Sequence, residues 1–232
     1  MAIYSFTSVA VLSLSVPFLE HGTPREIEGE SMRIIGRELE AMGIVLPAGC
    51  EAVVKRAIHT TADFDYARNL RFTPGAVEAG VAALRAGTAL VTDTNMALSG
   101  VNRGACEQLG VERFCYMADP QVAERARAER TTRAAAAVDC WASEHPAGIF
   151  AVGNAPTALL RLAECMEAGT LRPALVIGAP VGFVNVVESK ERIWSVCQDL
   201  DVPAIVAMGR KGGSTVAAAV CNALLYQAAG LR

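Results

Sequence analysis

Histidine is scarce in this chain, with three in 232 residues, and His59 is the one set among other polar groups, in Lys55-Arg56-Ala57-Ile58-His59-Thr60-Thr61-Ala62-Asp63-Phe64-Asp65. An imidazole titrates near neutrality and can both give and take a proton, which makes it the natural general acid–base group. Asp63 or a Thr hydroxyl is close enough in sequence to orient it. A histidine that closes a helix can equally serve only to bond the last carbonyls. Residue type alone leaves these two roles evenly matched. His21 and His145 stand in polar stretches and offer no comparable setting.

A second group of candidates gathers where apolar runs end. Thr92-Asp93-Thr94-Asn95-Met96 is followed by Ser99-Gly100-Val101-Asn102-Arg103, and Gly153-Asn154-Ala155-Pro156-Thr157 closes another run. Gly178-Ala179-Pro180-Val181-Gly182-Phe183 and Gly209-Arg210-Lys211-Gly212-Gly213-Ser214 close two more. Glycine turns leading into helices let backbone N–H groups approach a ligand, and a helix N-terminus favours negative charge. Arg210 and Lys211 add full positive charges. Glycine also serves merely to make tight strand-to-helix turns, but three such turns in succession, one of them basic, point to a site that grips several anionic groups.

Other chemistries lack their residues. There is no Gly-x-Ser-x-Gly elbow, no metal-ligand cluster and no evident Cys–His pair. Neither the Gly-x-Gly-x-x-Gly dinucleotide fingerprint nor the Gly-Lys-Ser/Thr ending of a phosphate loop is present. Seven cysteines, an odd number, lie scattered with no two three apart; Cys140 and His145 make a single pair, too few for zinc. They read as small core residues of a protein in the reducing cytoplasm, with no disulfide framework. A net charge of −3 without a basic block argues against a nucleic-acid surface.

The elements that must position these groups follow from punctuation and periodicity. Hydrophobic residues make up 52% and charged ones 19%, enough for one buried core of ordinary domain size. Met1 to Leu19 carries no charged side chain, but no Lys or Arg precedes it and Ser5, Thr7, Ser8, Ser13, Ser15 and Pro17 interrupt it. That argues against an export signal or a membrane span. Residues 1–22 are read as an arm or added edge strand, and residues 23–232 as the domain. Thr23-Pro24-Arg25-Glu26 spells a capping box that opens a helix running to Gly43. A second helix is expected from Ala48 to Ile58, stopping at His59, and a third from Thr73-Pro74 to Gly87. Short apolar runs follow at Ala89–Thr92, Phe114–Met117, Ile149–Val152, Ala174–Ile177 and Ala204–Met208. Continuous runs of that length fit strands covered on both faces, and Gln121–Ser143, Thr157–Ala168 and Thr215–Ala228 are long enough for crossover helices. The expected architecture is a three-layer α/β/α sandwich around a mostly parallel five-stranded sheet, whose ligands sit beyond the carboxyl ends of the strands.

Taken in order, the runs 55–65, 92–100, 153–159, 180–184 with Glu188-Ser189-Lys190, and 209–214 resemble the signatures of the precorrin-8X methylmutase family of cobalamin biosynthesis. The resemblance covers the chain from about Pro24 onward. It implies a flavodoxin-like α/β fold and an isomerase. The reaction moves a methyl group between adjacent carbons at ring C of a tetrapyrrole polycarboxylate, giving cobyrinic or hydrogenobyrinic acid by a proton-assisted sigmatropic shift. His59 matches the family's proton donor and acceptor; Ser31, in Glu30-Ser31-Met32, and Arg56 match its substrate-contacting Ser and Arg. Thr94, Ser99, Asn154, Thr157, Gly182, Arg210, Lys211 and Ser214 complete the expected substrate-binding set. The resemblance further implies a homodimer and no resident cofactor or metal, any cobalt arriving within the substrate. The runs 59–64 and 95–100 look more like the cobalt-precorrin-8 branch than the metal-free one. A non-catalytic corrinoid carrier on the same site is the competing reading, and a nucleotide-binding regulator is disfavoured by the missing phosphate motifs.

Overall fold

The structure, a computed structural model, describes residues 22–231. The stretch read as an arm or edge strand lies outside the described residues, Gly22 excepted. Helix α1 (Pro24–Ala41) opens on the expected capping box, Thr23 accepting from the Glu26 amide while the Glu26 carboxylate receives the Thr23 N–H at 2.8 Å. Helix α2 (Glu51–Thr61) runs past its expected end at Ile58, so His59, Thr60 and Thr61 form its last turn. Ala62, at φ 54°, ends it in the left-handed region. No glycine or proline signals that stop, which is why the sequence places it too early.

A short helix α3 (Tyr66–Asn69) leads into strand β1 (Leu70–Phe72), then α4 (Ala76–Arg85), β2 (Leu90–Thr92), α5 (Asn95–Gly100), α6 (Arg103–Leu109) and β3 (Arg113–Phe114). The paired helices α7 (Pro120–Ala128) and α8 (Arg133–Glu144) come next, followed by β4 (Ile149–Val152), α9 (Pro156–Glu167), β5 (Leu175–Gly178), α10 (Val186–Asp199), β6 (Ala204–Ala207) and α11 (Ser214–Ala229). The single helix expected over 121–143 is two, because Arg130 turns at φ 52° and Thr132 caps a new start by accepting from the Ala135 amide at 3.1 Å.

Among the described residues the sheet has six strands, not five, in the order β1-β6-β5-β4-β2-β3. The additional strand β1 pairs antiparallel with β6 at the edge, Leu70 opposite Ala207 and Phe72 opposite Ile205. Three residues with Arg71 at their centre carry no apolar run, so only the partner strand makes them a strand. Among the parallel strands the order is second, first, third, fourth, fifth, the flavodoxin-like winding, with its topological switch between β2 and β4.

Four of the five parallel strands, β2, β4, β5 and β6, serve two cores. Leu90, Ile149, Ala151, Leu175, Ile177, Ile205 and Ala207 face α1, α2, α4, α6 and α11, whereas Val91, Phe150, Val152, Val176, Ala204 and Val206 face α7, α8, α9 and α10. The period-two alternation hides inside unbroken apolar runs because both faces are covered. That makes the three layers. No described helix is long and apolar enough to cross a membrane, and all seven cysteines are free thiols.

Candidate active site

Helix α2 buries Val53, Val54, Ala57 and Ile58, which leaves Arg56, His59 and Thr60 on its outer face, one turn apart. Helix α1 packs beside it and brings the Ser31 hydroxyl to 2.7 Å from His59 Nδ1. Neither Asp63 nor a Thr orients the ring; a serine 28 positions upstream does. Sequence distance concealed that pairing. A hydroxyl both donates and accepts, so Ser31 can hold the ring in either protonation state, donating to neutral imidazole or accepting from imidazolium. The other ring nitrogen has no partner among the described residues.

A groove of about 250 Å³ opens beside His59. Arg56 and Thr60 line it from α2, and Thr215, Ala218, Ala219, Asn222 and Tyr226 from α11. Gly100 completes the floor; a Cβ there would lie 2.8 Å from the Ala218 Cβ, so a small residue is required for α5 to lie on α11. The floor is therefore flat and apolar. The Arg56 guanidinium bonds Glu28 at 2.6 Å and lies 5.1 Å above the Tyr226 ring, a cation–π contact. Asn102 donates its side-chain N–H to the Tyr226 hydroxyl at 3.2 Å, and its backbone N–H to Asn222 Oδ1 at 2.7 Å. Glu28, Asn222 and Tyr226 escaped the sequence reading, and Asn102 entered it only as part of a polar strand end. The signal for Asn222 and Tyr226 was available: polar side chains four apart on the mostly apolar α11.

The strand-end residues lie outside that groove and knit the sheet's carboxyl edge together. Thr94 caps α5 and its hydroxyl meets the Ser214 hydroxyl at 2.8 Å, tying β2's exit to the start of α11. The Gly153, Asn154 and Ala155 amides, expected to face a ligand, all donate to the Asp93 carboxylate at 2.8 Å. Asp93 is buried, and burial pushes its carboxyl above its ordinary value against the pull of those three hydrogen bonds. A buried carboxylate at a strand end takes nearby backbone donors for itself. Thr157 bonds Thr132 at 2.8 Å, while Ser99 and Asn154 are exposed. Lys211 is not free either: its ammonium bonds Asp63 and Asp65, each at 2.6 Å, which raises the lysine and holds the Asp63 carboxyl below its ordinary range. That pair clasps the turn after β6 to the loop that leaves α2. Arg210 is exposed and stacks at 5.5 Å over Phe183, and Gly182 donates its amide to the Arg210 carbonyl at 3.2 Å.

The model of the precorrin-8X methylmutase family matches residues 26–227. The chain belongs to the precorrin-8X methylmutase family. The cobalt-precorrin-8 methylmutase of Salmonella typhimurium is 44% identical over 207 residues, 88% of this chain and 95% of that one. That of Priestia megaterium is 43% identical over 203 residues, 87% of each chain. A crystal structure of precorrin-8x methyl mutase from Thermus thermophilus superposes with a TM-score of 0.78 at 41% identity, covering 89% of this chain and 98% of that one. The family match spans both the His59 groove and the strand-end turns, so methylmutase membership and the geometry concern the same part of the molecule.

Proposed function

We propose that this protein is the isomerase that moves a methyl group between adjacent carbons at ring C of cobalt-precorrin-8, with His59 carrying the proton. The observation behind this reading is the imidazole held by Ser31 at one nitrogen while its ring borders a flat groove carrying an arginine. A tetrapyrrole polycarboxylate is a broad apolar plane fringed with negative charge. Gly100, Ala218 and Ala219 offer the plane a floor, and Arg56, one of whose Nη atoms is held by Glu28, offers a carboxylate its remaining N–H groups. Protonation of the macrocycle by His59 makes the ring electron-poor and lowers the barrier to migration. The methyl never leaves the molecule, so the reaction needs no donor and no resident cofactor, and cobalt enters as part of the substrate.

Ser31→Ala removes the hydrogen bond that holds the imidazole. With such a bond contributing about 1 kcal/mol, kcat is expected to fall on the order of fivefold. KM should stay near its wild-type value, measured from the absorption change on anaerobic conversion of cobalt-precorrin-8. An unchanged kcat would mean that the pairing is incidental.

The cobalt form is the preferred substrate on the strength of the runs 59–64 and 95–100, in keeping with the Salmonella and Priestia relatives, both cobalt-precorrin-8 methylmutases. Anaerobic incubation with cobalt-precorrin-8 and, separately, with metal-free precorrin-8X tests this. We expect the absorption spectrum to shift to that of the corrin product, with the higher kcat/KM for the cobalt form. A higher value for the metal-free form reverses the preference, and tight binding of both with no spectral change would instead make the protein a carrier. The reading includes a cytoplasmic homodimer. Met96, Phe183 and Val184, 68%, 81% and 78% exposed at the carboxyl edge of the sheet, supply apolar surface suited to a second copy.

A further inference from the structure

Lys190, on α10, is wholly buried, yet among the described residues no carboxylate pairs with it. Its ammonium donates to the Gly209 and Lys211 carbonyls, each at 2.8 Å. Burial lowers it to about 8, so it is still mostly charged at neutral pH. An unneutralised buried ammonium opposes folding, and an apolar side chain of similar size would serve stability better. Its position therefore calls for another explanation. The peptide units of this turn are planar and trans, so each carbonyl drawn toward Lys190 sends the N–H of the same unit the opposite way. Those N–H groups belong to Arg210 and Gly212, and neither finds an acceptor among the described residues. Their neighbours are committed, Gly213 N–H to the Ala179 carbonyl at 2.8 Å and Gly182 N–H to the Arg210 carbonyl at 3.2 Å. Through Lys211, Asp63 and Asp65 the same turn is fastened to the exit of the His59 helix.

We infer that Lys190 is a positioning residue: it draws two carbonyls inward and so presents the Arg210 and Gly212 amides, beside the Arg210 guanidinium, as a seat for one carboxylate of the substrate. The inference rests on the anionic tetrapyrrole reading proposed above. It singles out one of the three glycine turns, since the Gly153 turn spends its amides on Asp93. Two N–H groups of one turn turned to the same side, here those of Arg210 and Gly212 on either side of Lys211, suit an anion, and a buried positive charge behind them strengthens the seat.

The test compares wild type, Lys190→Met, Arg210→Ala and the double variant on cobalt-precorrin-8, with cobyrinic acid as the binding probe. Lys190→Met is expected to raise KM about tenfold, in the range of one lost charge-assisted contact, with kcat within about threefold of wild type. The double variant should bind no more weakly than the worse single one, because both changes disable one seat. In the wild type, hydrogen exchange across residues 209–213 should slow when cobyrinic acid saturates the protein, a readout independent of whether a Lys190 variant folds. A Lys190→Met protein that melts earlier but keeps its KM, additive effects in the double variant, or exchange unmoved by cobyrinic acid each overturn the inference while leaving the proposed function standing. A wild type that converts neither macrocycle removes both.

Discussion

His59→Ala is expected to reduce turnover by about a hundred- to ten-thousand-fold, the usual contribution of a positioned general acid, while the protein stays folded and still binds cobyrinic acid. His59 is exposed in the last turn of α2, and among the described residues its side chain hydrogen-bonds Ser31 alone. Its removal opens no core cavity, so the melting temperature should stay within about 2 °C, as for surface changes in a chain of this length. The loss should appear in kcat rather than KM, because the proton matters in the transition state more than in binding. A folded His59→Ala protein turning over at the wild-type rate would take the imidazole out of the mechanism. The groove and Arg56 would then have to supply the catalysis alone.

Asp93→Ala should give the largest loss of stability among changes near the site. The carboxylate accepts three backbone N–H groups; without it the Gly153 amide is left buried and those of Asn154 and Ala155 are left partly buried. Each unsatisfied donor costs about 1–3 kcal/mol, so the total is expected at roughly 3–5 kcal/mol, or about ten degrees in melting temperature for a chain of this length. Asp93→Asn keeps an acceptor oxygen and should lose less than half as much. The pH dependence carries a definite sign. Burial lifts the folded carboxyl above its unfolded value, so the folded chain binds the proton more tightly and the stability from this group declines as pH rises between the two values. In Asp93→Asn that slope should vanish. An Asp93→Ala melting point within about two degrees of wild type would mean that water replaces the carboxylate and that the turn after β4 is not fixed by it.

These two side chains are exposed to very different degrees in the sequence. His59 drew notice as the one histidine among polar neighbours, and its family resemblance supplied a role. Asp93 was visible only as part of a polar strand end, and nothing in Thr92-Asp93-Thr94 indicates that its partners are the amides of residues 153–155. Similarly, Lys211 looked like free positive charge until the fold brought Asp63 and Asp65 against it.

What the residues alone determined was everything local or periodic. The capping box fixed where α1 begins, unbroken apolar runs identified the parallel strands β2, β4, β5 and β6, and glycine-bearing turns marked the carboxyl ends of the last three, whereas β3 meets its expected run only at Phe114. Each follows from short-range backbone preference or from burial on both faces, which leave their mark within a few positions. The tertiary structure decided whatever depends on groups far apart in the chain. It paired Ser31 with His59 across 28 positions, made a strand of Leu70–Phe72 by laying it against β6, and set Tyr226 under Arg56. It also determined which amides stay open to a ligand, because a donor's availability depends on whether some distant acceptor has already taken it.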